Sequence, residues 1–403
     1  MCYTLIWVAP QKFIIAFVPL REVEGRKLFL LSQNKNKEDN MKTQSFNEIE
    51  NLTKEYSMIP ICKEIYADVI TPIQLLRKME AFDKNFFLLE SVEGGEKWAR
   101  YSFLGYEPVL HITCKNGKVT QKSGEIEHTV TVDPMDALRQ LLHKYKSPKI
   151  EGMPTFTGGF VGYFGYEMIG YAEPKLNIKD SEFDDYNLML FDKVIVYDHL
   201  KQKIMVIANM KSKDGIQGYN TALLEIEKMI ALINDQRKLP VLEADKDVKF
   251  KCNVTKEEYC RMIEKTKHYI KEGDIFQGVI SRRFVADYKS SLINAYRVLR
   301  TTNPSPYMYF IQSDDLQIAG ASPETMVKLV DGKLTTFPVA GTRPRGVNDE
   351  QDKTLEKELL ADEKELAEHN MLVDLARNDM GRIAKYGSVY LEDYMKTHRF
   401  SKV

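Results

Sequence analysis

The sequence predicts an α+β protein of two lobes, built largely from antiparallel strands flanked by helices. Three observations carry this. The chain has 403 residues, more than one small core serves when a domain commonly takes about 100–200 residues. Asn116-Gly117, Ser123-Gly124 and Asp331-Gly332 stand between short apolar segments, and such dipeptides close hairpins, which join antiparallel neighbours. Segments of helical period lie between the strand-like ones, and a charged stretch at 243–251 marks a boundary between the lobes.

Composition narrows the class. Lys and Arg number 57 and Asp and Glu 58, a formal net charge of −1, so no overall field recruits nucleic acid or an anionic membrane. Hydrophobic residues at 43%, aromatics at 10% and charges at 29% are those of a soluble globular chain and exclude disorder or a fibre. The five cysteines are odd in number and scattered, with neither a disulfide framework nor a tetrahedral metal pattern, which suits reduced cytoplasmic thiols. Residues 3–20 are apolar but interrupted by Pro10, Gln11, Lys12 and Pro19, too broken to span a membrane. No positive charge precedes them, as a secretory signal requires. A polar run at 32–40 separates them from Met41, where ordinary globular sequence begins. Residues 1–40 are therefore expected to be an upstream or non-native extension joining neither lobe, with 41–245 the first lobe and 246–403 the second.

The elements follow in order. Ile73, Leu76, Met79 and Phe82 predict a short amphipathic helix, and 86–91 a buried strand. Residues 113–131 read as hairpins and 133–145 as a helix. In 157–168, Gly158, Gly159, Gly162 and Gly165 punctuate aromatic residues. The spacing fits no dinucleotide or phosphate loop, and predicts a strand or bend where backbones approach closely. Residues 188–197 and 203–208 predict paired strands, and 220–234 a helix. Thr255 and Glu258 stand in capping-box spacing ahead of a helix that Gly273 ends. Residues 274–284 predict a strand carrying Gln277 on an otherwise apolar face, and 318–330 and 333–339 a hairpin about Asp331-Gly332. The second of these leads into Ala340-Gly341-Thr342-Arg343-Pro344-Arg345-Gly346, a constrained loop with exposed amides.

One long helix is predicted over 354–377, with a core stripe of Leu355, Leu359, Leu366, Val373 and Ala376. Glu365 and Glu368, three residues apart, emerge on one face beside that stripe. Like charges so placed call for a compensating cation or proton, and Mg²⁺ held by hard oxygens would serve. From the period alone, a solvated acidic face partnered by Lys357 and Lys364 is the favoured reading. Gly341 and Thr342 end a strand or aim donors at a ligand carboxylate. Gln277 is a core amide or a site group. No nucleophile triad assembles around the seven histidines.

Six motifs in order carry a resemblance: Leu88-Leu89-Glu90-Ser91, Gly273-Asp274-Ile275-Phe276-Gln277, Asn303-Pro304-Ser305-Pro306-Tyr307-Met308, Gly320-Ala321-Ser322-Pro323-Glu324, Pro338 through Gly346, and Lys364-Glu365-Leu366-Ala367-Glu368-His369 through Asp379. From about Tyr56 to Val403 the chain resembles the large subunits (component I) of anthranilate synthases, which are chorismate-utilising enzymes. The resemblance implies the two-lobed chorismate-utilising fold and a lyase of tryptophan biosynthesis. It aminates chorismate with ammonia, loses pyruvate to give anthranilate, and requires Mg²⁺. A separate glutamine amidotransferase subunit (component II) supplies the ammonia in a heterodimer or heterotetramer. Carried over, Glu368 matches a magnesium ligand and Glu365 the carboxylate that assists proton transfer and departure of the ring hydroxyl. Gly341 and Thr342 match the chorismate-contacting pair. Ser91, Pro306, Tyr307 and Met308 match the tryptophan feedback site.

Two positions separate the relatives. Isochorismate and salicylate synthases carry a lysine base where Gln277 stands. Aminodeoxychorismate synthase, the alternative enzyme, has a lysine nucleophile where Ala340 stands. The departures are Arg282, where the family often has Gln, and Gly278, where a larger apolar residue is usual. The family also continues past Val403 with a second magnesium carboxylate and further chorismate contacts. This chain alone is therefore expected to be inactive, and a non-catalytic, tryptophan-binding role is the other alternative.

Overall fold

The computed structural model describes residues 43–91, 100–178, 180–245, 247–400 and 403, and the backbone alone of 4–7 and 13–19. Among these, two antiparallel sheets share one apolar core. The seven-stranded sheet runs, edge to edge, Leu316–Ser322, Tyr307–Ser313, Asn85–Glu90, Tyr101–Tyr106, Lys193–Asp198, Lys203–Lys211 and Met58–Tyr66. The nine-stranded sheet runs Lys333–Thr335, Thr325–Val330, Thr4–Trp7, Phe13–Pro19, Gly159–Gly165, Tyr186–Phe191, Leu110–Lys115, Lys118–Ser123 and Ile126–Thr131.

The period of two decides which core each side chain joins. Phe87, Leu89, Val194, Val196, Tyr309 and Ile311 meet Val161, Tyr163, Met189 and Phe191 between the sheets. Their neighbours Phe86, Leu88, Ile195, Tyr197, Met308 and Phe310 point the other way, onto the helices Pro72–Glu80, Gly215–Asn234 and Ile293–Thr302. On the far side Ile112, Leu188 and Leu190 pack under the helix Pro134–Lys144. The order is thus helix, sheet, sheet, helix. Phe191 is fully buried, and emptying such a ring position costs about 3–5 kcal/mol.

Residues on both sides of the charged stretch share both sheets, because Tyr307–Ser313 pairs with Asn85–Glu90, with Met308 opposite Glu90. Residues 4–7 and 13–19, expected to lie outside the fold, run as strands against Thr325–Val330 and Gly159–Gly165. Strand addition of this kind uses main-chain donors and acceptors, which any apolar β-forming run supplies. The remainder of the expected extension, at 1–3, 8–12 and 20–40, lies outside the described residues.

Four expected elements are corrected. The run 188–197 is two strands: Tyr186–Phe191 belongs to one sheet, Lys193–Asp198 to the other, and the chain crosses at Asp192. The run 318–330 breaks likewise at Pro323 and Glu324, where proline removes a ladder donor. The strand over 274–284 is absent except for Phe284–Val285, which pairs with Lys251–Cys252; an extended run without a neighbouring ladder leaves its amides unpaired. The helix over 354–377 is two helices, Asp349–Ala361 and Glu363–Gly381, divided at Asp362.

The expected close approach at Gly162 is observed. A Cβ there would lie 2.0 Å from the Asn187 carbonyl oxygen of the adjoining strand. Gly124, in the turn between two hairpin strands, has φ of +60° but open space around it. Gly162→Ala is accordingly expected to lower stability by about 2 kcal/mol or more through overpacking, and Gly124→Ala by about 1 kcal/mol through backbone strain alone. Urea midpoints of the two variants check this, and equal losses would contradict it.

Candidate active site

Asp362 joins the two helices that flank the site. It ends the helix Asp349–Ala361 and begins Glu363–Gly381 in an extended conformation, φ −78° and ψ 105°. Its Oδ1 accepts from the amides of Lys364 at 3.1 Å and Glu365 at 3.3 Å, satisfying donors that an uncapped helix leaves unpaired. Its other oxygen accepts from Arg343 Nη2 at 2.7 Å. That arginine holds the Asp362 carboxyl below its ordinary range.

Glu365 therefore sits in the first turn of the helix, and its side chain is one-fifth exposed, at 19%. Gly341 lies against it: a Cβ at Gly341 would be 3.3 Å from both Glu365 Cβ and Oε2. Gly341 has φ of +80°, a conformation glycine adopts without a steric cost. One turn further along the helix, Glu368 Oε1 accepts from Gln277 Nε2 at 3.0 Å. The structure thus brings Gly341, Glu365, Glu368 and Gln277 into one surface, and Thr342 is exposed beside them. Gln277 is exposed and hydrogen-bonded to a carboxylate, so its reading as a core amide does not hold.

The loop bearing Gly341 and Thr342 is anchored at a second point. Arg345 Nη2 and Nε donate to Asp352 Oδ2 at 2.6 and 3.0 Å, and Gly346 N–H donates to the other oxygen. Asp352 is buried in the first turns of Asp349–Ala361. Arg345 holds its carboxyl below the ordinary range.

The second set of expected residues meets in the seven-stranded sheet. Met308 pairs with Glu90, so Ser91 comes level with Tyr307, and Pro306 stands at the strand's start. Met308 is 1% exposed. Glu90 is buried beside them, accepting from Tyr296 Oη at 2.7 Å and from Arg300 Nη2 at 2.9 Å. Behind it Ser102 Oγ lies 2.7 Å from His199 Nε2, and burial pushes the His199 imidazole below its ordinary range.

Sequence reasoning missed Asp362, Arg343, Arg345 and Asp352 as site-forming groups. A signal for Asp362 was present: an aspartate three residues ahead of Glu365 has N-cap spacing, but Leu359 and Leu366 keep the apolar period on either side of it. Among the described residues no group of three or more His, Cys, Asp or Glu could hold a metal ion. A hydrated Mg²⁺ needs only one or two carboxylates, and Glu368, with one oxygen on Gln277, fits that modest role.

Comparison with known proteins adds the following. A family model described as chorismate binding enzyme matches residues 84–403. The chain is 41% identical over 370 residues to "Anthranilate synthase component 1" of Acetivibrio thermocellus, covering 89% of this chain and 75% of that protein. It is 40% identical to the component 1 protein of Aquifex aeolicus strain VF5, covering 89% and 74%. The crystal structure of anthranilate synthase component I from Streptococcus pneumoniae TIGR4 matches with a TM-score of 0.66 at 32% identity, over 84% of this chain and 73% of that one.

The depressed carboxyls of Asp362 and Asp352 give an acid signature. A carboxylate with a lowered folded pKa stabilises above the ordinary Asp range, about 3.9, and loses that contribution as pH falls through the lowered value. Melting temperature measured from pH 6 to pH 2 is expected to fall less steeply below pH 4 in Asp362→Asn and Asp352→Asn than in the parent. Parallel curves would show that these pairs contribute nothing to stability.

Proposed function

The chain belongs to the chorismate binding enzymes, among the component 1 subunits of anthranilate synthase, and from that premise we propose that it aminates chorismate with ammonia and releases pyruvate and water to leave anthranilate. The observation that supports this most is the seating of Gly341 against Glu365, with Glu368 one turn on and bonded to Gln277. The Gly341 amide and the Thr342 hydroxyl bind and orient a substrate carboxylate. Glu365, at the N-terminal turn of its helix, carries the proton that accompanies the departing ring hydroxyl. Gln277 holds the Glu368 carboxylate in orientation, and having no basic nitrogen it cannot activate water. Ala340 has no nucleophile, so the ring carbon is left to ammonia. Glu368, with water, would hold Mg²⁺, which when bound would supply positive charge to stabilise a substrate carboxylate.

Ammonia comes in this reading from a glutamine amidotransferase subunit, component II, in a heterodimer or heterotetramer. Tryptophan regulates by binding at Ser91, Pro306, Tyr307 and Met308, where strands from either side of the charged stretch meet. The reading places the protein in the cytoplasm. No helix among the described residues is long and apolar enough to cross a membrane.

Two measurements test the reading. In the intact protein, chorismate, Mg²⁺ and ammonium are expected to give anthranilate, and glutamine is expected to replace ammonium only when the amidotransferase is added. Isochorismate or 4-aminobenzoate as main product, resolved by chromatography, would overturn the assignment. For regulation, Ser91→Ala and Met308→Ala are expected to raise the tryptophan concentration for half-inhibition by about tenfold, equivalent to about 1.4 kcal/mol, with turnover spared. Unchanged sensitivity in both variants would rule the site out.

A further inference from the structure

We propose that Arg343 and Arg345 are positioning residues that fix the substrate-contacting pair Gly341 and Thr342 from two sides, and that the guanidinium fork of each is required for it. The inference rests on the reading of Gly341 and Thr342 as chorismate contacts.

The loop from 336 to 347 lies outside helix and strand, so no regular ladder holds Gly341 in place. Three devices do so instead. Pro344 fixes its own φ and holds Arg343 out of helical conformation. Arg343 then turns back: Nη2 donates to Asp362 at 2.7 Å, while Nη1 donates to the Thr342 carbonyl at 3.1 Å and lies 3.9 Å from Glu365 Oε1. One planar group thus ties together the helix start, the loop backbone and the catalytic carboxylate. Arg345 leaves on the opposite side of the proline, engages Asp352 through Nε and Nη2, and reaches the Phe400 carbonyl with Nη1 at 2.7 Å. Asp352 also takes the Gly346 amide, so the anchor grips side chain and backbone at once. Gly346 permits this contact, since a Cβ there would lie 2.6 Å from the Asp352 amide.

Lysine carries the same charge but no fork, and cannot bond two directions in one plane. The two clamps also differ in reach. Arg345 ties the loop to Asp352 and Phe400, whereas Arg343 faces Glu365 as well. Loss of the first weakens substrate binding, and loss of the second also slows the chemical step.

The test compares Arg343→Lys and Arg345→Lys with the parent protein in three measurements: amide hydrogen exchange without ligand, chorismate binding by equilibrium dialysis, and kcat and KM with ammonium. In both variants the peptide spanning 337–347 is expected to exchange at least tenfold faster, while peptides of the strand Tyr307–Ser313 and the helix Gly215–Asn234 do not change. Chorismate Kd and KM are expected to rise at least tenfold in both, and kcat to fall at least tenfold only in Arg343→Lys. Unchanged exchange in the 337–347 peptide overturns the clamp, whether or not chorismate binds. Faster exchange throughout the protein with unchanged KM overturns it too, because the arginines are then structural only. A parent protein that binds no chorismate counts against the functional reading, and the exchange data still decide the clamp.

Discussion

Much of the site depends on one carboxylate with two oxygens in two different uses. Asp362 caps the helix Glu363–Gly381 with one oxygen and holds Arg343 with the other. The first use sets where the helix begins, and so places Glu365 in its first turn with Glu368 one turn on. The second brings the loop to that helix start and seats Gly341 beside Glu365. A continuous helix would have turned the acidic face elsewhere and left the loop without its partner. The break that looks like a defect in the helix is the means by which two distant motifs meet.

The two-sheet body supplies the frame. The chain changes sheets at Asp192 and again at Pro323 and Glu324, so a single run of sequence contributes to both faces of the shared core. This interleaving lets Tyr307–Ser313 lie beside Asn85–Glu90 and joins expected tryptophan residues that are far apart in the sequence. The buried carboxylate of Glu90 is compensated there by Tyr296 and Arg300, as a charge removed from water must be. The second half is different in character. Phe276, Val279, Val347, Ile383 and Tyr386 are all more than half exposed, and the helix Lys256–Glu272 buries no residue. The acidic site therefore lies in a more open environment than the strands around Met308.

The sequence made the class, the hairpins and several helix ends legible, because these rest on local chemistry. Thr255 caps its helix and Gly273 ends it in a left-handed conformation, the helix read over 133–145 begins at its cap Asp133, and Asn116-Gly117 and Asp331-Gly332 turn with positive φ. Glu365, Glu368, Gly341 and Gln277 were found by motif, and the structure brings them together. The sheet changes were not legible, since an apolar run reads the same whether its partners lie in one sheet or two. Nor was the helix break at Asp362, where apolar periodicity continued across the cap. The strand expected at 274–284 failed for a non-local reason: alternation specifies a face but supplies no neighbour to pair with.

The central claim is that chorismate lies on the loop at Gly341 and Thr342 against Glu365, apart from the strands proposed to bind tryptophan. Ligand footprinting by hydrogen exchange tests it most directly, with chorismate and Mg²⁺ in one sample and tryptophan in another. The account predicts that chorismate protects peptides covering 337–347 and 363–369, and that tryptophan protects those covering 85–91 and 305–309. Chorismate protection confined to the second set, or no protection at 337–347 at a saturating concentration, would contradict it.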